Sequence, residues 1–240
     1  MDLKIKDVAE LLSVSETTIR RWLTEGKIPA YRLHHQYRFS RIEIENWMMS
    51  CKIEQEKGFS PFAKEEQIYP LPAQEEEGFF AKTGTQQFSL YRAIHRGDVL
   101  SSIRGSNKEE VIEQSARFIA PKLSLDAEVV ADLLLDRESL MPTALNHGIA
   151  VPHPREFILK GPSDLIVVAF PSEPIDFGAL DGEPVHSLFF LFSSQDKRHL
   201  HLLAKIAHLS SYPPALELLR SKPSKEILLS FVKDWEAKLG

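Results

Sequence analysis

Two histidines, His153 and His199, are the residues best placed for chemistry in this chain. His153 follows the β-rich run Gly-Ile-Ala-Val-Pro and precedes Pro154 and Arg155, so it lies where a strand ends, and the prolines on both sides restrict its backbone. We expect this ring to be exposed beside the arginine, where an imidazole could take an anionic group. An ordinary loop histidine is the alternative interpretation.

His199 falls within a helical pattern that starts near Lys197. At the helical period it lies in the middle of the apolar face formed by Leu202, Leu203 and Ile206. A buried histidine costs free energy unless it is hydrogen-bonded, so His199 needs a partner. That partner could be a backbone carbonyl in the core or a group in a site.

The elements that position these histidines form an α/β pattern over residues 88–240. Apolar runs typical of strands cover residues 99–103, 148–153, 164–170 and 187–192. Helical periodicity covers residues 90–97, 107–119, 124–137, 197–209, 214–219 and 224–239. Phe118 and Val129 are among the side chains expected to face the core. Helices at both ends with strands between them predict an α/β sandwich with a mixed sheet flanked by helices.

The composition is that of an ordinary soluble protein, with 43% hydrophobic and 26% charged residues. Cys51 is the single cysteine, which excludes an intramolecular disulfide framework and a multi-thiolate zinc site. The first residues lack the apolar run of a signal peptide, and the longest apolar runs are too short to span a bilayer. We therefore expect a cytoplasmic protein without membrane contact. The net charge of −5 argues against general nucleic-acid affinity, although charge must be counted by region.

Residues 1–50 form a separate head with a helix-turn-helix pattern. Helical spacing over residues 5–12 is followed by Ser15, a good N-cap for a second helix that ends near Gly26. Alternation over residues 30–39 predicts a β-hairpin, or wing, and the capping box at Ser40 predicts a third helix to about residue 49. Between residues 17 and 41 there are six basic residues and one acid, so the head carries a basic strip.

Residues 51–87 have the composition of a linker. They hold seven Glu and four Lys, with Pro61, Pro70 and Pro72. We interpret this stretch as an acidic spacer that keeps the basic head away from an acidic body. The predicted organisation is therefore a head over 1–50, a linker over 51–87 and a body over 88–240.

The head resembles the excisionase/MerR-type winged helix-turn-helix family. The resemblance rests on residues 6–12, 14–22, 26–30 and 38–39. It implies DNA binding, with the second helix in the major groove and the wing on the backbone. The expected DNA-contacting side chains are Thr17, Thr18, Arg20, Arg21, Arg32 and Arg38. About six basic side chains bind weakly alone, so a homodimer is expected if binding is specific. A head used for protein contacts is the alternative.

The body resembles enzyme IIA of the fructose/mannitol/nitrogen-regulatory class in the bacterial phosphoenolpyruvate:sugar phosphotransferase system. The matching segments lie at residues 136–138, 143, 148–155, 173–177, 181–185, 189–192 and 199–207. The resemblance implies that His153 is the phosphorylated histidine and His199 the second active-site histidine. The residues expected to support the phosphoryl group are Arg137, Thr143, Arg155 and His147. No cofactor or metal is implied, and the implied phosphodonor is a phosphohistidine carrier protein.

The loop before the strand departs from the family pattern. The family usually has Thr-Gly-x-Gly-Asn-Gly, whereas residues 143–148 read Thr-Ala-Leu-Asn-His-Gly. Two glycines are missing, and His147 stands where asparagine is expected. The loop should be stiffer, which affects access of the donor. His147 either joins the site or fills space.

These observations predict a DNA-binding regulator of the phosphotransferase system whose IIA-like domain senses or relays phosphorylation. The chain shows no IIB or membrane IIC segment, which favours the nitrogen-regulatory branch and a regulatory rather than metabolic phosphocarrier, with regulatory proteins as further targets. A plain carrier that passes phosphate to a separate IIB is one alternative. A DNA-binding protein with a degenerate, unphosphorylated sensor domain is the other.

Overall fold

The structure, a computed structural model, describes residues 2–12, 14–33, 36–50, 89–159, 161 and 163–238. The predicted linker lies outside the described residues, as do His34 and His35 of the predicted wing. The domain boundaries at residues 50 and 88 therefore stay predictions. Among the described residues, no helix combines the length and apolar character needed to cross a membrane.

The head is a winged helix-turn-helix, as predicted. The Ser15 side chain caps the second helix by accepting a hydrogen bond from the amide of Thr18 at 3.1 Å. Ile19, Phe39 and Ile44 are fully buried and form the centre of its core. Three short strands pair antiparallel in the order β1-β3-β2. The elements are β1 (Asp2–Leu3), α1 (Ile5–Leu12), α2 (Glu16–Thr24), β2 (Tyr31–Leu33), β3 (Gln36–Ser40) and α3 (Arg41–Ser50).

The body is an α/β sandwich built on a four-stranded mixed sheet, which confirms the predicted fold class. The strand order is β4-β6-β7-β5, with β6 and β7 antiparallel and both outer pairs parallel. Its strands are β4 (Val99–Ile103), β5 (Ile149–Ala150), β6 (Leu165–Pro171) and β7 (Ser187–Phe192). Its helices are α4 (Leu90–Arg96), α5 (Lys108–Leu123), α6 (Ala127–Glu138), α7 (Asp196–Leu209), α8 (Pro213–Arg220) and α9 (Lys225–Ala237).

The two central strands are buried on both faces, so their side chains alternate between two cores. Ile166, Val168 and Phe170 pack on the side of α4, α7, α8 and α9. Val167 and Ala169 pack on the side of α5 and α6. This arrangement places α7, which carries His199, against the sheet face opposite the α5–α6 pair.

The head packs directly on the body, so the interpretation of the linker as a spacer that holds them apart is wrong. Helices α1 and α3 contact α7. Apolar residues of the head, such as Val8 and Ile44, belong to the same buried cluster as Leu200 and Leu203 of the body. At the edge of this contact, the Lys197 ammonium lies 2.6 Å from the Glu10 carboxylate.

Some predicted details of the body are also wrong. The strand expected over residues 148–153 is confined to Ile149–Ala150, because Pro152 has no N–H to offer to a ladder. Helix α6 begins after Asp126, since Ser124 adopts a left-handed conformation (φ 55°) that ends α5. Phe118 and Val129 are 55% and 45% exposed, because the α5–α6 pair buries neighbouring side chains instead.

Candidate functional site

His153 follows the end of β5, and its ring is held in one orientation. Its Nδ1 lies 2.7 Å from the carbonyl oxygen of Val151. Because a carbonyl can only accept, Nδ1 carries a hydrogen and donates it, so a neutral ring has its lone pair on Nε2. The hydrogen bond from the Leu191 amide to the Pro152 carbonyl (3.0 Å) ties this segment to β7. The backbone therefore occupies Nδ1 and leaves Nε2 as the nitrogen that faces the site.

His199 lies in the first turn of α7, with its ring centroid 4.8 Å from that of His153. Its ring is 2% exposed, as the apolar-face prediction requires. Burial lowers the pKa of His199 to about 4, although the nearby Glu45 carboxylate opposes this effect. The imidazole of His199 is therefore neutral at pH 7. The structure brings together the two histidines that the sequence singled out.

A carboxylate from the head, that of Glu45 on α3, fills the space in front of both imidazoles. Its Oε2 lies 3.4 Å from Nε2 of His153, within hydrogen-bond distance. Its Oε1 lies 3.0 Å from Nε2 of His199, but that contact lacks the alignment of a hydrogen bond. Burial by itself would raise the pKa of Glu45, but the two histidines together hold it well below its usual value. Glu45 is therefore ionised.

The expectation that the His153 ring is exposed is wrong, because the ring is completely buried and Glu45 of α3 lies against it. No local sequence signal indicates that Glu45 belongs to this site. A glutamate on a short polar helix is usually solvated, and its spacing within α3 carries no information about a residue 108 positions away.

Arginines surround this carboxylate. Arg41 donates from Nε to Oε1 of Glu45 at 2.6 Å, and its guanidinium lies 4.3 Å from the ring centroid of Phe157. Arg41 also lies 3.3 Å from the carboxylate of Asp196 at the start of α7. It donates from Nη1 to the backbone carbonyl of Arg155 at 3.3 Å. Arg41 thus connects α3, α7 and the segment after His153.

Arg137, at the end of α6, is buried beside the same site. It donates to the carbonyl of Met141 and to the side-chain oxygen of Asn46, each at 3.0 Å. Burial lowers the pKa of Arg137, and the carboxylates of Glu45 and Glu138 oppose this shift. An arginine stays protonated at neutral pH. A buried cation thus lies near Glu45, and the head supplies one of its hydrogen-bond partners, Asn46.

The other candidate supporting residues are placed differently. Thr143 donates from its hydroxyl (2.6 Å) and its amide (3.0 Å) to Glu138, whose pKa is raised by burial. His147 is exposed and left-handed (φ 66°), and its amide donates to Asp181 at 2.7 Å. The side chain of Arg155 is exposed, and it is its backbone that contacts Arg41. Thr143 thus ties the start of the loop 143–148 to Glu138 of α6. His147 lies beside the acidic residues Asp181 and Glu183.

Within the part of the chain that the structure describes, two groups of side chains could in principle ligate a metal: Glu45 with His153 and His199, and the exposed set His147, Asp181 and Glu183. In the first group the Glu45 oxygen nearest His199 already accepts from Arg41. A pocket in which imidazoles and an arginine contact one carboxylate is suited to holding an anion.

The predicted DNA-contacting residues lie on a surface that remains open while the head is docked. The Thr17, Arg20, Arg21 and Arg32 side chains are exposed, and those of Thr18 and Arg38 are half-buried. Arg20 makes only a loose ion pair with Glu16 at 3.7 Å. The outer face of α2 and the wing are therefore accessible in the docked head.

The neutral state of His199 predicts that acid destabilises the protein. Below pH 6.5 the unfolded chain binds a proton at His199, whereas the folded chain binds one there only below about pH 4. Unfolding then takes up a proton, so stability should fall as the pH drops from about 6.5 to about 4, by up to about 3 kcal/mol from this group. Urea unfolding at a series of pH values measures the change.

The matched variant for this prediction is His199→Gln, which removes the titrating group. The pKa of His201 is also lowered to about 4, first by burial, and this histidine acts in the same direction in both proteins. The difference between the two pH profiles therefore isolates His199. Identical slopes in the two proteins would contradict the assignment.

The class of protein follows from this fold and its paired histidines. Residues 93–235 match the family described as phosphoenolpyruvate-dependent sugar phosphotransferase system, EIIA 2. Residues 3–52 match the family described as helix-turn-helix domain. The first match covers more than half of the chain. The chain therefore belongs to the type 2 enzyme IIA family and carries a helix-turn-helix domain.

The individual relatives are mostly nitrogen regulatory proteins. The chain is 37% identical to the nitrogen regulatory protein of Pseudomonas aeruginosa over 149 residues, covering 60% of this chain and 95% of that protein. It is 30% identical to the one from Escherichia coli, covering 61% and 91%. The crystal structure of nitrogen regulatory protein IIA-Ntr from Neisseria meningitidis superposes with a TM-score of 0.51 at 28% identity, covering 58% and 94%.

Proposed function

We propose that His153 accepts a phosphoryl group on Nε2 from a phosphohistidine carrier protein, and that its phosphorylation state regulates DNA binding by the head or contact with a protein target. One observation carries this proposal: the Val151 carbonyl fixes the hydrogen of His153 on Nδ1, so the lone pair of Nε2 faces the site beside His199. The nitrogen regulatory relatives favour the regulatory branch over sugar transport.

The proposed transfer moves the phosphoryl group from one imidazole nitrogen to another. The lone pair of His153 Nε2 attacks phosphorus while the bond from phosphorus to the donor's nitrogen breaks. The donor ring, protonated on its other nitrogen, leaves as neutral imidazole, and the His153 ring keeps its Nδ1 hydrogen and becomes the cationic phosphorylated ring. Catalysis of such a step consists mainly of positioning and of stabilising charge on the phosphoryl oxygens. The neutral His199 lies beside His153, and Arg137 lies near Glu45 in front of it, so both can serve these oxygens.

Incubation of the full chain with phosphoenolpyruvate, enzyme I and the carrier protein tests the proposal. We expect one acid-labile phosphoryl group per chain, located by mass spectrometry on the peptide that contains His153. The absence of label with every donor would overturn the proposal and favour a degenerate sensor. Transfer onward to a separate IIB, without any DNA binding, would favour the plain carrier.

The DNA-binding half of the proposal predicts a loss of affinity in the double variant Arg20→Ala/Arg21→Ala. Both side chains project from α2 into solvent and add two positive charges to its outer face. Removing two phosphate contacts should lower affinity by about tenfold or more and reduce the salt dependence of log K by about 2. Electrophoretic shifts with genomic fragments at several salt concentrations measure both quantities.

The control for this prediction is Lys233→Ala, which removes an exposed positive charge from α9 of the body. This variant should bind DNA like the unmodified chain. An equal loss in the control and in the double variant would show a general charge effect, and no shift with the unmodified chain would mean that the head serves protein contacts.

A further inference from the structure

We propose that the head is an internal plug of the phosphorylation site: Glu45 occupies the place that the phosphoryl group takes, so docking of the head and phosphorylation of His153 exclude each other. This inference rests on the proposed function of His153. It assigns to α3 a binding surface for the pocket of the IIA domain, in addition to its place in the helix-turn-helix.

Space alone makes the two states incompatible. The Oε2 atom of Glu45 lies 3.4 Å from Nε2 of His153. A nitrogen–phosphorus bond is much shorter than this gap, and the phosphoryl oxygens extend beyond it, into the volume of the carboxylate. The His153 ring has no exposed surface while α3 is in place, so a donor histidine cannot reach it either. Phosphorylation therefore requires α3 to leave.

Charge favours the same exchange. Glu45 is an anion held among His153, His199 and Arg41, as a phosphoryl group would be. A phosphoryl group on His153 brings up to about two negative charges to the same spot, and like charges in a buried site repel strongly. Arg137, now bonded to Asn46 of the head, would be released to the new anion. The phosphorylated pocket thus repels the head, and the phosphoryl group replaces the head as the partner of the pocket's donors.

The docking is more than a single contact, so it can hold the head in the unphosphorylated state. Glu10 on α1 pairs with Lys197 at 2.6 Å, and Arg41 bridges to Asp196 at 3.3 Å. Apolar side chains of α1 and α3 share a buried cluster with α7. Phosphorylation removes the central contact and leaves these outer contacts to compete with release of the head. Release would expose the α1–α3 face and the pocket to other partners.

Two variants of the full chain test the inference: Glu45→Gln and, as the matched control, Glu43→Gln. Glu43 lies on the same helix but is exposed to solvent. Because Gln lacks the charge that binds Arg41 and faces the histidines, Glu45→Gln should accept phosphate from limiting carrier about tenfold faster than the unmodified chain. Glu43→Gln should match the unmodified chain. Equal initial rates in all three proteins would overturn the inference while leaving the proposed function intact.

A second measurement uses the unmodified chain and does not depend on the folding of a variant. A zero-length carbodiimide cross-linker should join Lys197 to Glu10, whose side chains are 56% and 41% exposed and in contact. Mass spectrometry should find this cross-link before phosphorylation and a severalfold smaller amount after it. A cross-link that persists undiminished in protein shown to be phosphorylated on His153 would contradict mutual exclusion. Absence of phosphorylation in every variant would instead refute the proposed function on which the inference rests.

Discussion

A chain with His153 replaced by glutamine is expected to take up no phosphoryl group, whereas His199→Gln is expected to reduce the rate roughly a hundredfold. Glutamine approximates the shape of histidine but has no nucleophilic nitrogen, so the first variant lacks the acceptor atom. His199 is neutral and lies beside the proposed acceptor. If it donates a hydrogen bond to the phosphoryl group, as proposed, its loss should cost about 10²–10³ in rate, as for other single donors. Transfer of labelled phosphate from phosphoenolpyruvate measures both effects.

The comparison protein is His95→Gln, in which an exposed histidine on α4 is replaced. It should be labelled at the rate of the unmodified chain, which shows that loss of a histidine as such has no effect. Labelling of His153→Gln at a normal rate would move the acceptor to another residue. Complete loss of labelling in His199→Gln would make His199 as necessary as His153, contrary to the roles assigned here.

The histidine pair could be found from the sequence because each member is marked by local information. His153 is marked by the prolines around it and the strand before it, and His199 by its place on an apolar helical face. Both signals depend on periods of two or of about 3.6 residues, which any single segment displays. Glu45, the carboxylate that faces His199, could not be found this way, because it belongs to the other domain.

The regional charge count was misleading about how the domains meet. The head has eight Lys/Arg and seven Asp/Glu, and the body 17 and 20, so the head is net +1 and the body net −3. One contact, Arg41 with Asp196, joins a basic residue of the head to an acidic residue of the body, as these net charges suggest. Another, Glu10 with Lys197, has the opposite arrangement, with the acidic residue on the head. Electrostatic contact energies depend on the few charges within several ångströms, so totals over a domain do not predict docking.

Element types in the body followed from the sequence more reliably than their ends. The strands β6 and β7 were predictable because continuous apolar runs of this length are typical of strands buried on both faces. The start of α6 was not, because Ser124 and Asp126 are both residue types that cap helices, and only the left-handed backbone at Ser124 decides between them. The prediction that Val129 faces the core was also wrong, since the neighbouring Val130 is the residue that packs in the cluster with α5.

Helix α7 is held to the sheet by a buried ion pair, and Asp164→Asn is expected to destabilise the protein by about 3–5 kcal/mol. Asp164 precedes β6 and accepts from Nε of Arg198 through both of its oxygens, at 2.9 and 3.0 Å, and from Nη2 of the same arginine. Both residues are buried, so removing the carboxylate charge takes away the ion-pair partner of a buried guanidinium. Urea unfolding at pH 7 measures the loss.

The control for this change is Asp132→Asn, which replaces an exposed aspartate on α6 and should alter stability by less than about 0.5 kcal/mol. A loss as small as this in Asp164→Asn would mean that the ion pair contributes little. Because Arg198 precedes His199 on α7, any variant that still folds should also accept phosphate more slowly, as the second imidazole shifts relative to His153. Normal stability combined with slow transfer would assign the pair to positioning alone, and the opposite combination would assign it to stability alone.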